Sequence, residues 1–196
     1  MRLYVIRHGE SVNNLRKMWT GWYDAELTDK GRADAQDAAR ILEGIHFDKV
    51  YSSDLNRAIE TAQIALPGCQ PETTPLLREV CLGSLENQPT TQPEGEARAQ
   101  MNREGYAAFG GESYAQFYQR LCQFLDSLDA ESDETVAAFC HGGCLRTLLG
   151  IVMGQPMPQS KILCNNCAVA AFEYVNGQWM LHSWINVVDR NAGLHF

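Results

Sequence analysis

The chain has no excess of basic residues. Its 16 lysines and arginines face 24 aspartates and glutamates, for a net charge of −8. Proteins that grip nucleic acid concentrate positive charge, so no nucleic-acid partner is expected. Long hydrophobic runs are also missing. The N-terminal apolar stretch extends only from Leu3 to Ile6, and no later run approaches the roughly 20 residues of a membrane span. Neither a membrane contact nor a secretory leader is expected. Internal repeats, low-complexity tracts and long linkers are lacking too, which argues against solenoid and disordered classes. Cysteine is plentiful, but its seven residues form an odd set. We read them as reduced thiols in a cytoplasm rather than as a disulfide framework.

What remains is an ordinary globular composition over 196 residues, 45% hydrophobic and 20% charged. That length favours a single domain spanning 1–196. Leu3 to Ile6 reads as a short buried strand. Thr28 can cap a helix running to about Leu42, with Gly44 as its stop. Val50-Tyr51 is a second strand, and Ser53 is placed to cap a helix over Asp54 to Leu66, ended by Pro67. Residues 83–112 begin rich in Gly, Pro, Gln, Asn and Thr, and read as a lid inserted over the sheet. From Ser113, Tyr114, Phe117, Leu121, Leu125 and Leu128 recur at three- and four-residue steps, the mark of one buried helix face. Thr135 to Phe139 is another buried strand, followed by Cys140-His141-Gly142-Gly143 and a helix through Leu148. Asn176-Gly177 between Ala168–Val175 and Gln178–Trp184 is a hairpin signal. Strands alternating with helices imply a three-layer α/β/α sandwich, its sheet mostly parallel with an antiparallel edge.

Open α/β sheets bind ligands beyond the carboxyl ends of their strands. Two histidines, His8 and His141, fall at such ends, and each is followed by glycine, which lets backbone N–H groups approach a ligand. The helix after Gly142-Gly143 can turn its free N–H groups toward an anion. Arg7 precedes the first histidine. Arg57, in "SSDLNRAIETA", sits just past the second strand and can fork onto a phosphate.

The chain resembles the histidine phosphatase superfamily, which includes cofactor-dependent phosphoglycerate mutases. The resemblance rests on "RHGESVNN" at 7–14, "TGWYDAELTDKG" at 20–31, "SSDLNRAIETA" at 52–62, "LLREVCLGSLEN" at 76–87 and "HGGCLRTLL" at 141–149. It implies that His8 is the nucleophile, becoming a phosphohistidine, and that Glu79 is the proton donor. It also implies that Arg7, Arg57, His141 and Asn14 form the phosphate pocket, with Gly142 beside them and Thr20 and Gly21 at the substrate entrance. On this reading His141 is a protonated imidazole. Two guanidiniums and that imidazole would supply the positive charge without a metal or other cofactor. The rate should then peak on the acidic side of neutrality. Asn87 departs from the pattern, since many phosphatase members have glycine there.

"GWYDAELT" is mutase-like, yet a mutase must hold a doubly phosphorylated intermediate. Between 80 and 112 only Arg98 and Arg103 stand against Glu86, Glu94, Glu96, Glu104 and Glu112. An acidic lid holds a second phosphate poorly. The reading is therefore a phosphomonoester hydrolase acting on a small phosphorylated metabolite, with the mutase as alternative. Tyr106 and Phe109 are lid aromatics able to pack on substrate or on the core. Two readings of other classes compete. One is a zinc site on Cys140, Cys144, Cys164 and Cys167, where "CNNC" has a suitable gap. The other is a non-catalytic phospholigand-binding module. The sequence also leaves room for a homodimer.

Overall fold

A computed structural model describes residues 1–91, 93–155 and 162–186. The strands are β1 (Arg2–Arg7), β2 (Lys49–Ser53), β3 (Glu72–Thr74), β4 (Thr135–Cys140), β5 (Val169–Val175) and β6 (Gln178–Ile185). The helices are α1 (Val12–Leu15), α2 (Asp29–Ile41), α3 (Asn56–Ala65), α4 (Gly95–Glu104), α5 (Tyr114–Asp126) and α6 (Gly142–Val152). Among these residues the strands form one six-stranded sheet in the order β3-β2-β4-β1-β5-β6. The pairs β3–β2, β2–β4 and β4–β1 are parallel, while β5 and β6 run antiparallel. The antiparallel part is thus a whole hairpin, turned by Asn176 and Gly177 with φ of 51° and 81°. Those left-handed values suit a two-residue hairpin turn.

Alternation along the strands makes three layers. Leu3, Val5, Val136 and Ala138 face Phe117, Leu121, Leu145 and Leu148 of α5 and α6. Ile6, Ala137 and Phe139 face Ala35, Ala38 and Ala62 of α2 and α3 on the other side. The small alanines let both helices lie close to the sheet.

Several boundaries differ from those expected. Thr28 does cap α2, its Oγ1 accepting from Gly31 N at 3.0 Å. Ser53 does not cap α3. That helix starts at Asn56 after Leu55, which lends no side-chain bond, and Ser53 Oγ instead accepts from Leu55 N at 3.3 Å. In α5 the buried face includes Phe124, whereas Tyr114 is 46% exposed and Leu128 lies past the helix end. The lid comprises the 3-10 turns Gly83–Leu85 and Ala107–Phe109 around α4. Asn87 has φ of 59°, the left-handed backbone that glycine takes freely and asparagine tolerates, so the loop keeps its shape.

The first turn of α2 presses on the loop after β1. A Cβ at Gly31 would lie 2.1 Å from the carbonyl oxygen of Glu10, and one at Gly9 2.2 Å from that of Gly31. Two stretches of backbone can approach so closely only without side chains. Gly31→Ala is expected to destabilise the fold by about 1–3 kcal/mol, as overpacking against unyielding backbone does. Urea denaturation of the variant and parent checks this.

Candidate active site

The pairing of β1 with β4 brings the two histidines together. Arg7 and Cys140 are register partners, so His8 and His141 leave the sheet side by side. Their ring centroids are 5.1 Å apart. His8 is 4% exposed and His141 is fully buried.

His8 Nδ1 lies 2.6 Å from the carbonyl oxygen of Gly9. A carbonyl only accepts, so Nδ1 carries the proton and Nε2 keeps its lone pair. Burial, with Arg57 and Arg7 adding repulsion, holds His8 well below the usual imidazole range. The imidazole is a neutral, oriented base, as a nucleophile at nitrogen must be.

His141 Nε2 meets Ser53 Oγ at 2.9 Å. Ser53 Oγ already accepts from Leu55 N. Satisfying the hydroxyl proton then has Ser53 donating to Nε2, which puts the proton of neutral His141 on Nδ1. Burial, then Arg57 and His8, hold His141 well below the usual imidazole range as well. In the free protein this environment disfavours the protonated imidazole that the resemblance implies, because burial and then the neighbouring charges oppose a further positive charge.

Arg7 closes β1, and its Nη1 donates to the carbonyl oxygen of Cys164. Arg57, 1% exposed in the first turn of α3, donates to the carbonyl oxygens of Tyr23 and Gly21, each at 2.8 Å. These bonds end on main-chain carbonyls, not carboxylates. Burial lowers Arg57 to about 10, so it stays a cation at neutral pH. Among the described residues four buried side-chain nitrogens have no partner: Arg7 Nε, Arg57 Nε, His141 Nδ1 and Trp19 Nε1. Buried donors are normally satisfied. Three of the four belong to Arg7, Arg57 and His141, the neighbours of His8.

Glu79 follows the 3-10 turn Pro75–Leu77. Its Oε1 accepts from Val80 N at 2.9 Å and its Oε2 from Gly143 N at 3.0 Å. A Cβ at Gly143 would fall 2.1 Å from Oε1, so any side chain there would displace the carboxylate from this seat. The first turn of α6 thus gives an N–H to this carboxylate rather than to an incoming anion. The Glu79 carbonyl is held by Trp22 Nε1 at 2.7 Å and Arg120 Nη2 at 3.0 Å. Arg120 is fixed by Glu112 at 2.8 Å. The neighbouring Arg78 pairs with Asp54 instead, at 2.6 Å, leaving Glu79 free of it.

Arg7, His8, Asn14, Thr20, Gly21, Arg57 and Glu79 all line one cavity of about 1080 Å³. Asn14 Oδ1 accepts from Asn166 Nδ2 at 3.2 Å, and Asn166 also donates to the His8 carbonyl at 3.1 Å. Gly21, with φ of 53°, supplies the carbonyl that holds Arg57, so it is more than a turn. A Cβ on Gly142 would sit 3.3 Å from Arg7 Nε and 3.4 Å from Arg146 Nη1. Sequence reasoning missed Ser53, Arg120, Arg146 and Asn166. Arg146 was visible one turn into the "HGGCLR" helix, whereas Asn166 sits in a loop with no pattern to mark it.

The lid reading needs correction. No lid glutamate lines the cavity. Glu86 accepts from Trp22 N and Leu82 N, and Glu112 is spent on Arg120 and Cys81 N. Tyr106 lines the cavity and Phe109 does not. All seven cysteines are free thiols, and among the described residues no three His, Cys, Asp or Glu gather as metal ligands would. Among the same residues no helix is long and apolar enough to cross a membrane.

Because both imidazoles are held low, neither is expected to take up a proton as pH is lowered through its ordinary range in the free protein. Nitrogen-15 NMR of the rings checks this, with His8 expected in its Nδ1-protonated form. Titration near 6.5 would contradict the assigned environment.

The comparisons with known proteins agree with this geometry. A probable phosphoglycerate mutase of Yersinia pestis is 30% identical over 94% of this chain and 90% of its own length. A crystal structure of phosphoglycerate mutase from Thermus thermophilus matches with a TM-score of 0.74 at 28% identity, covering 96% of this chain and all of that one. A phosphoserine phosphatase from Entamoeba histolytica, in complex with 3-phosphoglyceric acid, matches with a TM-score of 0.82 at 26% identity, covering 94% and 96% of the two chains. The profile of the histidine phosphatase superfamily, branch 1, matches residues 3–187. With paired strand-tip histidines, two arginines beside them and a match over nearly its whole length, the chain belongs to the histidine phosphatase superfamily, a family of phosphoryl-transfer enzymes.

Proposed function

We propose that this protein is a phosphomonoester hydrolase that works through a phosphohistidine at His8 on a small phosphorylated metabolite. One domain, with residues 83–112 as its lid, carries the reaction. The observation that supports this most is the gathering of unsatisfied donors on Arg7, Arg57 and His141 around a neutral His8. Phosphoryl transfer needs positioning and positive charge aimed at three equatorial oxygens, and such donors supply both. His8 Nε2 forms a bond to phosphorus as the ester oxygen leaves. Glu79, held at the cavity wall, gives its proton to that oxygen. Water then attacks phosphorus, Glu79 takes a proton from it, and the N–P bond breaks to restore neutral His8.

A mutase is the second reading, favoured by the relative's name and by "GWYDAELT". It requires a second anion site. Among the described lining residues the only cation beyond Arg7 and Arg57 is Arg146, which lies beside Arg7. One such group supports the hydrolase over the mutase.

With excess chelator, turnover of an aryl phosphate is expected to persist and to vanish in His8→Ala. Arg57→Ala is expected to lose roughly 100- to 1000-fold in rate. Isotopic phosphate trapped on the parent protein should be acid-labile and alkali-stable, and absent from His8→Ala. No turnover on any phosphoester, with ligand binding retained, would favour the non-catalytic module. Faster conversion of 3-phosphoglycerate in the presence of its bisphosphate than its hydrolysis would favour the mutase.

The pH dependence follows from sign. A depressed folded-state pKa keeps His8 unprotonated as pH falls through 6.5, so the free enzyme stays competent there. The expected kcat/KM does not fall between pH 7.5 and about 6, and a steep loss near 6.5 would count against His8 as the neutral base.

A further inference from the structure

The cavity is larger than a phosphoryl group needs. Its volume of about 1080 Å³ matches that of sites holding far bulkier ligands. The corner formed by Arg7, His8 and Arg57 takes up one end. The rest of the lining includes five rings, Trp19 before the mutase-like loop, Tyr106 from the lid, and Tyr114, Phe117 and Tyr118 from α5, beside the aliphatic Met18, Val80 and Leu82 and the polar Asn102 and Thr147.

Three of these rings form a connected series, while Phe117 turns a face to the Arg120 guanidinium 5.0 Å from its centroid. Trp19 and Tyr106 meet edge to face with centroids 6.2 Å apart, and Tyr106 and Tyr114 do the same at 6.2 Å. Tyr114 and Tyr118 are 46% and 39% exposed. Burying such rings is favourable, so two partly exposed rings in one concave wall mark a contact surface. Burial pushes the Tyr106 hydroxyl up to about 12, so that ring carries no charge at neutral pH.

Charge is distributed the opposite way. The only acid in the described lining is Glu79, and the third cation, Arg146, stands beside Arg7 at the phosphate end. A second anionic group on the substrate would therefore find ring faces rather than counter-charge along the outer wall. A flat apolar group would find edge and face contacts.

We infer that this site prefers phosphomonoesters whose leaving alcohol carries a flat, uncharged ring over short phosphates bearing a second charged group. The inference rests on the hydrolase reading above and adds the class of its substrate. The aromatic wall selects the alcohol, and the histidine corner performs the transfer.

The test compares kcat/KM of the full chain on 2-phenylethyl, 2-cyclohexylethyl and ethyl phosphate and on phosphoserine. The alkyl esters have similar leaving alcohols, so differences among them report the wall rather than the chemistry. The phenyl ester is expected to exceed ethyl phosphate and phosphoserine by on the order of tenfold or more, and to exceed the cyclohexyl ester. In Tyr106→Leu and Tyr114→Leu the phenyl-to-ethyl ratio is expected to drop severalfold, and Tyr106→Phe should restore it. A ratio near one in the parent, a preference for phosphoserine, equal rates on phenyl and cyclohexyl esters, or a ratio that both leucine variants leave intact would overturn the inference. Turnover without ring preference sinks the inference alone. Failure on all four esters, with no phosphohistidine formed, sinks the hydrolase reading with it.

Discussion

One fully buried guanidinium, that of Arg57, and one half-buried, that of Arg7, each held by main-chain carbonyls and by no carboxylate, set the terms for everything around them. Removing such cations from water is costly, and the cost is normally offset by a carboxylate. At Arg57 it is offset by the carbonyls of Gly21 and Tyr23, so the loop after α1 is folded around the guanidinium. At Arg7 the carbonyl of Cys164 serves. Carbonyl dipoles hold the cations without neutralising them, and net positive charge remains in the corner. The imidazoles respond by staying neutral, since burial disfavours their charged form and each further proton would also repel the fixed charges. A phosphoryl group is the complement of such a corner: it brings negative charge and several acceptor oxygens to donors whose protein partners are incomplete.

The sheet makes this arrangement possible. Parallel pairing of β1 with β4 gives both strands the same direction, so their carboxyl ends open at one edge. β2 lies on the far side of β4 and ends with Ser53, which reaches the ring of His141. Three adjacent parallel strands thus deliver His8, His141 and Ser53 to one point. Helix α6 begins there, and its first-turn N–H fixes Glu79. Glu79 is therefore tied to the segment that carries His141, and through its carbonyl to Trp22 and Arg120 as well.

Much of this was legible in the sequence because it is local. Short apolar runs ending in Arg-His-Gly or His-Gly-Gly mark strand tips, Thr28 marks a helix start, and Asn-Gly marks a hairpin. The resemblance placed the remaining site residues, and all but His141 and Gly142 line one cavity, with the His141 ring packed on that of His8 behind it. What escaped notice depends on three-dimensional placement. β3 is three polar residues paired to β2 at the sheet edge, with no alternation to reveal it. Ser53 has the composition of a cap, but its hydroxyl faces a histidine 88 positions away. The protonation of His141 could not be read from residue type, because burial and neighbouring cations decide it. The lid glutamates were counted as a field over the site, yet Glu86 and Glu112 point into hydrogen bonds that build the lid itself.

The same contrast explains how relatives that share a quarter to a third of their residues bear the names of a mutase and a phosphatase. The phosphate corner is built at strand tips, where a shift of one residue would turn each side chain to the other face of the sheet. Such positions tolerate little change. The outer wall comes from the loop around Trp19, the lid and one face of α5, where substitution alters the surface without moving the strands. Chemistry and selectivity are therefore assigned to parts of different rigidity. A wall of cations would retain a doubly charged intermediate, and a wall of rings retains a flat one. On the hydrolase reading proposed above, this chain pairs its histidine corner with a ring-bearing wall, and the identity of the leaving alcohol is decided at that wall rather than at His8.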